Sequence, residues 1–353
     1  IEIDIDRIDL SDAKTYAMLG RGHSMAVFQF ESPGMSKYLR KLRPTCIEDL
    51  IAMNALYRPG PMQFIPQYIQ RKNGEEAVDC YHPNLEPILG ETYGVIVYQE
   101  QVMRLAQKLS GFSLGGADQL RRAMSKKKGL ENYEKDFIGG AVKNGYSEQL
   151  ARQLWEVLIP FSEYAFNKSH ATAYSFVAFQ TAYLKAHYPQ EFMAANLTTE
   201  FDKHDRLAVL LQECRALNIE IIPPNINVNL ELFTVLDGKI NYGLAGIRNV
   251  GLPAAAAIVD ERKRNGPFLS IYDLTARLSS ISLITQKALE CLVMAGALDV
   301  LQGSRAEQYA TISTALQRAK TLHDDRERGF LSLFDSMSDP STPPKRPLVS
   351  APP

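Results

Sequence analysis

The chain has 353 residues, of which 45% are hydrophobic, so it is long enough to bury more than one core. Its 39 Lys and Arg nearly balance its 40 Asp and Glu, so the formal net charge of -1 neither indicates nor excludes a polyanionic partner. The four cysteines lack C-x-x-C spacing, which excludes a disulfide framework and a zinc site. No apolar run reaches the length of about 18 residues that a membrane span needs. We therefore expect a cytoplasmic protein without membrane contact.

The first residues alternate isoleucine with acidic side chains, which predicts a strand. On a strand, Glu2, Asp4 and Asp6 would present three carboxylates on one face, a geometry that suits metal ions. The alternative, which we favour, is an exposed strand at the end of the chain.

A large helical block follows. A short helix is predicted to open at residues 11–16, and from about residue 35 to residue 223 most segments have helical periodicity interrupted by Gly and Pro. Turns between helices are predicted at residues 57–61, 90–94, 111–116 and 159–160.

One segment of this block is strongly basic. Residues 101–128 contain seven basic side chains and one acid, Asp118, in a chain that is nearly neutral overall. If the segment is helical, Arg122 and Lys126 lie one turn apart, so like charges stack along one face. Such pairs destabilise a helix unless an anion binds them, and phosphate is the natural partner. The alternative is a solvated basic face.

A second segment combines a helix start with cations and an aromatic ring. Asn167 or Ser169 can cap the helix that follows. The first N–H groups of that helix, together with Lys168 and His170, would form a site for an anion. Tyr174 lies one turn beyond His170, and a ring beside cations suits a base stacked above its own triphosphate. The alternative is an ordinary N-cap with a packed tyrosine.

The pattern then changes to short β-branched runs. They occupy residues 219–224 and 233–242, and Asp237-Gly238 lies inside the second, which predicts a small hairpin.

Residues 243–251 have the glycine-x-hydrophobic spacing of a hairpin between two short helices. Gly246 and Gly251 leave backbone N–H groups at the start of the next helix, which favours a DNA phosphate over a base edge. A related arrangement occurs at residues 285–299, and two such hairpins would hold duplex DNA regardless of sequence. The alternative is plain helix packing.

The C-terminal part is predicted as a polar helix at residues 304–328, followed by an apolar peptide at residues 329–335. Such a peptide suits docking into a groove on a partner, and the alternative is a helix end folded back on the body. Residues 336–353 hold six prolines and four serines, which predicts a disordered linker.

Six runs match one known family in its own order. Over about residues 1–335 the chain resembles the alpha subunits of bacterial DNA polymerase III, the family C replicative polymerases. The runs are VFQFES at 27–32, YRPGP at 57–61, YQEQVM at 98–103, GGADQLRRAMSKKK at 115–128, FNKSH at 166–170 and LKAHYP at 184–189.

The resemblance implies a mainly α fold with a multi-helix fingers domain, a small β-hairpin, a tandem helix-hairpin-helix domain and a disordered tail. The implied divisions are a palm-to-fingers connector (1–22), the fingers domain (23–205), a linking helix and short β-hairpin (206–239), the tandem helix-hairpin-helix DNA-binding domain (240–303), a helix with a clamp-docking peptide (304–335) and a disordered linker (336–353).

Site residues follow from the same resemblance. Those expected to lie toward the incoming nucleotide are Arg121, Arg122, Lys126, Asn167, Lys168, His170 and, toward the base or sugar, Tyr174. Those matching the duplex-binding hairpin are Gly246, Arg248, Val250 and Gly251. Those similar to the sliding-clamp docking peptide are Phe330, Leu333 and Phe334, with Phe330 where the family's peptide begins with Gln.

For the intact enzyme the resemblance implies template-directed nucleotidyl transfer, with deoxynucleoside triphosphates and template-primer DNA as substrates and two Mg²⁺ ions. The implied partners are a sliding clamp and other replicase subunits, in the cytoplasm at the nucleoid.

The family's metal-binding aspartates lie in a palm domain that precedes this segment, so Asp4 and Asp6 match only the connector, and no catalytic residue is assigned. The family's N-terminal phosphoesterase-like domain and C-terminal oligonucleotide-binding fold are also expected outside the chain. We therefore expect no polymerisation by the chain alone. The alternatives are a stand-alone DNA-binding or clamp-loading accessory module and a split gene product that assembles with a palm-bearing chain.

Overall fold

The computed structural model describes residues 3–126, 129–278 and 284–327. The chain divides into two compact units, Ile1–His187 and Tyr188–Pro353. Helices dominate both units, which confirms the predicted fold class, and the strands described belong to the second unit. The finer domain divisions given above remain predictions.

The first unit is built from helices joined by short turns. Its helices are α1 (Ala13–Gly20), α2 (Pro33–Leu42), α3 (Ile47–Leu56), α4 (Ile65–Lys72), α5 (Glu86–Leu89), α6 (Gln99–Ser110), α7 (Leu114–Lys126), α8 (Leu130–Lys143), α9 (Glu148–Tyr164) and α10 (Lys168–His187). Local sequence explains several of the helix starts. For α2, the Ser32 hydroxyl accepts a hydrogen bond from the Met35 N–H (3.2 Å), and Pro33 occupies the first turn.

Two apolar cores lie in this unit. α1 to α4 and α10 surround the first core, in which Leu50, Met53 and Phe179 are fully buried or nearly so. α6 to α9 surround the second, which contains Leu105 and Phe137. The segment between α9 and α10 links the two cores, and α6 begins beside it.

Two of the predicted turns differ from the structure. α9 continues through Pro160 although proline removes a backbone donor, because neighbouring residues such as Leu154 and Leu158 are fully buried in the second core. The predicted turn at 111–116 is shorter than expected. It centres on Gly111, with φ +69°, and α7 already begins at Leu114.

The predicted N-terminal strand is wrong for the residues described. Ile5–Arg7 is a 3-10 helix. The Asp4 carboxylate accepts a hydrogen bond from the Asp6 N–H (3.1 Å) and pairs with Arg7 Nε (3.2 Å). This local bond from side chain to backbone competes with an extended strand, so Asp4 and Asp6 do not form the expected row of carboxylates. Glu2 lies outside the described residues.

The second unit combines a small sheet with a helical core. Its elements are α11 (Pro189–Thr199), α12 (His204–Ala216), β1 (Ile221–Ile222), β2 (Thr234–Leu236), β3 (Lys239–Asn241), α13 (Gly251–Asn265), α14 (Ile271–Arg277), α15 (Gln286–Met294) and α16 (Arg305–Glu327). The hairpin of β2 and β3 is confirmed, and Asp237 and Gly238 both have positive φ (51° and 73°), as a two-residue turn of this kind requires. β1 pairs with β3 in parallel, which was not predicted.

α13 to α16 enclose the core of this unit, where Ile258, Leu274 and Leu289 are fully buried. α14 and α15 both pack against α16, which confirms the predicted polar helix near its expected bounds. Among the helices described, none has the length and apolar content needed to cross a membrane.

Candidate functional site

The site is organised around the start of α6. The Gln99 N–H donates to the Phe166 carbonyl (2.9 Å), and Gln99 Nε2 donates to the Ala165 carbonyl (3.1 Å). The Phe166 N–H donates in turn to the Val97 carbonyl (3.0 Å), so Tyr98 and Phe166 form an isolated parallel bridge. These bonds fix the segment that precedes α10 against the first residue of α6.

Arg121 reaches the same point from α7. Its Nη1 donates to Gln99 Oε1 (3.3 Å), while Nε and Nη2 donate to Asp118 Oδ1 (3.0 and 2.7 Å). The side chain is 19% exposed, so the surrounding structure holds it in place. The hydrogen bond from Arg121 lowers the pKa of the Asp118 carboxyl. Arg121 and the segment before α10 therefore both form hydrogen bonds with Gln99.

Glu100 anchors the first turn of α10. Its carboxylate accepts a hydrogen bond from the Lys168 N–H (3.0 Å) and another from Asn167 Nδ2 (3.2 Å). Asn167 Oδ1 accepts from the His170 N–H (2.8 Å), so Asn167, one of the two candidates that the sequence offered, is the N-cap. A carboxylate of the protein itself thus lies where an anion was expected at the helix start.

Lys168 is paired with a second carboxylate. Its Nζ lies 2.7 and 2.9 Å from the two Glu91 oxygens and 5.4 Å from the centre of the Tyr98 ring. Both members of the ion pair are about one third exposed. A cleft of about 480 Å³ opens here, and its lining includes Arg104 as a further cation. Sequence reasoning missed Glu91 and Glu100, since both lie far from Lys168 in the chain.

Aromatic rings follow the next turn of α10. The His170 ring lies 4.2 Å from that of Tyr174 and 5.4 Å from that of Phe166, measured between centroids. Tyr174 also contacts Phe28 (5.4 Å) and is 38% exposed. The predicted common face of His170 and Tyr174 is therefore confirmed.

Arg58 supports this aromatic face from the other side. Its Nη2 donates to the Tyr164 carbonyl (2.7 Å), its Nε donates to the Ala55 carbonyl (2.9 Å), and its guanidinium lies 4.2 Å from the centre of the Phe166 ring. Burial lowers the pKa of Arg58. Gly60 follows at φ +97°, where a Cβ would lie 2.4 Å from the Tyr164 ring. The run at 57–61 indicated only a turn, so this role was missed.

The other two cations predicted on α7 lie further from this centre. Arg122 pairs with Asp118 (2.8 Å) and is 67% exposed, and Lys126 is exposed at the end of the helix. Of the predicted cations on the described part of α7, Arg121 is the one that contacts Gln99.

The predicted DNA-binding hairpin contains both packing and exposed residues. Gly246 is buried against Phe233, where an added Cβ would lie 3.1 Å from the ring, and Val250 is 5% exposed. Gly251 has φ +68° and starts α13, as predicted. Arg248 is exposed, so it is the side chain of this group that is free to meet a ligand. In the related arrangement, Gly296 has φ +78° after α15.

The clamp-docking residues Phe330, Leu333 and Phe334 lie outside the described residues, as does the predicted disordered linker. Within the described ranges, no three His, Cys, Asp or Glu side chains lie together as a metal-binding group. We therefore assign no Mg²⁺ ligand among the described residues.

Comparison with known proteins identifies two segments. The family model of the bacterial DNA polymerase III alpha subunit finger domain matches residues 1–145, and that of a helix-hairpin-helix motif matches residues 218–308. A DNA polymerase III subunit alpha from Borreliella burgdorferi is 46% identical over 338 residues, which is 95% of this chain and 29% of the relative. The same subunit from Thermus aquaticus is 44% identical over 360 residues, covering 100% of this chain and 29% of the relative.

The chain belongs to the family of bacterial DNA polymerase III alpha subunits. It spans about 29% of the length of the curated relatives named here. The finger-domain match covers α6 and α7, which carry Gln99 and Arg121. The helix-hairpin-helix match covers Arg248 and both predicted hairpins. The resemblance inferred from the six sequence runs is therefore confirmed.

Proposed function

We propose that this chain is the part of a replicative DNA polymerase that binds the incoming deoxynucleoside triphosphate and holds the template-primer duplex. One observation carries the proposal: Arg121 and the first turn of α10 are anchored on consecutive residues, Gln99 and Glu100. Cations from two separate helices that meet consecutive residues of α6 suit a polyphosphate. Membership of the polymerase family supports the same assignment.

The triphosphate would bind by displacing Glu91 from its ion pair with Lys168. Its oxygens replace the Glu91 carboxylate on Lys168 and take hydrogen bonds from the planar guanidinium of Arg121, which matches phosphate geometry. Arg122 and Lys126, exposed on α7, raise the local positive potential that attracts the anion. His170 and Tyr174 lie along the next turn of α10, where the base or sugar would contact their rings.

In the proposed reaction the primer 3′-hydroxyl oxygen forms a bond to the α-phosphorus and gives up its proton to water, the bond from that phosphorus to the bridging oxygen breaks, and pyrophosphate leaves. The residues of this chain position the triphosphate and offset charge on its β and γ phosphates. Mg²⁺, held in the intact enzyme by the palm aspartates that the family resemblance implies, would supply charge neutralisation at the reacting oxygens.

Titration of the chain with a fluorescent deoxynucleoside triphosphate tests the proposal. We expect saturable binding that weakens steeply as the salt concentration rises from about 50 to about 300 mM, because salt screens the several contacts between cations and phosphate oxygens. Inorganic tripolyphosphate should compete with the fluorescent triphosphate. Binding of duplex DNA without any triphosphate binding would instead favour an accessory DNA-binding module.

Replacing Glu91 with Gln should tighten triphosphate binding by about 2- to 5-fold, because an exposed ion pair is worth up to about 1 kcal/mol and the incoming phosphate no longer has to displace it. The dissociation constant of the fluorescent triphosphate measures the effect. Glu148, which pairs with Arg152 on α9, provides the matched control, and Glu148→Gln should leave binding unchanged. Weaker binding by Glu91→Gln would contradict the displacement.

Duplex binding is assigned to the hairpin that precedes α13. The exposed Arg248 would contact a DNA phosphate, and the turn at Gly251 would bring backbone N–H groups close to the same strand. Gly246 and Val250 would shape the turn from within the core.

Arg248→Ala should weaken binding of duplex oligonucleotides of unrelated sequence to the same degree. The slope of log K against log salt should fall by about 0.9, the contribution of one phosphate contact on duplex DNA. Fluorescence anisotropy at several salt concentrations measures both quantities. Lys320→Ala, at an exposed position on α16, is the control and should leave the slope unchanged.

Docking to a sliding clamp through Phe330, Leu333 and Phe334 is proposed from the sequence alone.

A further inference from the structure

A groove of about 620 Å³ lies between α2 and α4 in the first unit, outside the proposed nucleotide site. Three cations line it where α2 ends: Arg40, Lys41 and Arg43. All three are exposed, and none forms an ion pair with a carboxylate among the residues described. Basic residues do suit the last turn of a helix. Arg43, however, lies beyond that turn in the left-handed region (φ +49°), so the row of charge continues past the helix.

Hydrogen bonds join the two walls of the groove. Asn73 Nδ2 donates to the Lys41 carbonyl (3.2 Å), and Lys72 Nζ donates to the Arg43 carbonyl (3.3 Å). Lys72 is itself held by the buried Asp49 carboxylate (3.2 Å). The bonds across the groove tie the segment that carries the cations to the end of α4, so the groove exists before any ligand binds.

Arg40 is positioned as well as charged. An added Cβ at Gly22 would lie 2.9 Å from Arg40 Cγ, so the stem of Arg40 packs against the Gly22 backbone. The Ser36 hydroxyl donates to the Gly22 carbonyl (2.8 Å), which fixes that backbone to the same helix. A side chain whose stem is packed loses less conformational entropy when its head group binds.

The remaining lining joins polar amides to apolar surface. Gln70 and Asn73 supply amides, Tyr38, Pro66 and Ile69 supply apolar atoms, and Glu75 is the carboxylate present. Cations beside aromatic and aliphatic surface are the combination that single-stranded nucleic acid uses, because its phosphates and the faces of its bases are both accessible. A duplex presents phosphates but keeps its base faces stacked inside.

We infer that this groove binds single-stranded DNA, with Arg40, Lys41 and Arg43 on consecutive phosphates and the bases over the apolar lining. Recognition is independent of sequence, since every base has an accessible face. The inference goes beyond the proposed nucleotide and duplex sites, which use other residues.

The test measures binding of a fluorescent 20-nucleotide oligothymidylate to the whole chain by anisotropy at several salt concentrations. The variant Arg40→Gln/Lys41→Gln/Arg43→Gln removes three charges and keeps the packed stems. Its slope of log K against log salt should be smaller by about 2, since each phosphate contact on a single strand contributes about 0.7. At 0.1 M salt the affinity should fall by about 10- to 100-fold. Binding of a blunt duplex should change by less than 2-fold.

Lys14→Gln/Lys135→Gln/Lys143→Gln removes the same charge at exposed positions outside the groove and serves as the control. An equal loss of affinity in this control, or an unchanged slope in the groove variant, would overturn the inference. Binding of poly-glutamate by the chain without binding of the oligothymidylate would overturn it as well. A second measurement does not depend on a variant. Ultraviolet cross-linking of an iodouracil oligonucleotide to the unaltered chain should mark peptides within residues 38–43 or 66–75, and cross-links confined to other peptides would overturn the inference.

Discussion

Replacing Arg121 with Ala should weaken binding of a deoxynucleoside triphosphate by about 10- to 100-fold, because a hydrogen bond to a charged partner contributes about 1.5 to 3 kcal/mol. The expected loss is large because Arg121 is mostly buried and already oriented by hydrogen bonds to Asp118 and Gln99. The dissociation constant of a fluorescent triphosphate measures the effect.

Two further variants separate this role from a structural one. Arg121→Lys keeps the charge but loses the planar fork, and it should recover only part of the affinity. Arg152→Ala removes an arginine that is also paired with a carboxylate, Glu148, but lies on α9, and it should leave the affinity unchanged. Equal losses in Arg121→Ala and Arg152→Ala would show that overall charge, rather than the site at Gln99, determines binding.

Replacing Asp49 with Asn should destabilise the first unit by about 3 to 5 kcal/mol, the cost of leaving one member of a buried ion pair without its partner. The Asp49 and Lys72 side chains are 1% and 8% exposed. Asp49 also accepts a hydrogen bond from the Thr45 N–H (2.8 Å). Chemical denaturation of the chain measures the loss of unfolding free energy, and thermal unfolding of this unit should begin about 6 to 20 °C lower.

The double variant Asp49→Asn/Lys72→Met removes both charges and should recover part of the lost stability, because no unpaired charge remains buried. Asp9→Asn, at an exposed position, should cost less than about 1 kcal/mol. A double variant less stable than Asp49→Asn alone would show that Lys72 contributes through packing or other bonds instead of through this pair.

Features set by neighbouring residues were predictable from the sequence. Asn167 caps α10, and His170 and Tyr174 share a face, because both relations depend on spacing along one helix. Asp237-Gly238 likewise defines a two-residue turn that needs positive φ at both positions. The six sequence runs were sufficient to predict the family to which the chain belongs.

Features that depend on distant contacts were not predictable in this way. Glu91 and Glu100 lie more than sixty residues before Lys168, so no local pattern connects them to the helix that they anchor. Arg58 lies in a run that indicated only a turn, and its bond to Tyr164 depends on how α9 ends. Pro160 shows the opposite error, since burial of its neighbours outweighed a local signal that normally interrupts a helix.

The central claim is that Arg121 and Lys168 approach one triphosphate from two helices. Reaction of the chain with an acyl-phosphate derivative of dATP, which transfers its acyl group to a lysine beside the phosphates, tests this most directly. Mass spectrometry should find Lys168 labelled well above the exposed Lys203, with labelling suppressed by excess dATP and by Arg121→Ala. Labelling of Lys168 no stronger than that of Lys203, or unaffected by Arg121→Ala, would contradict the account.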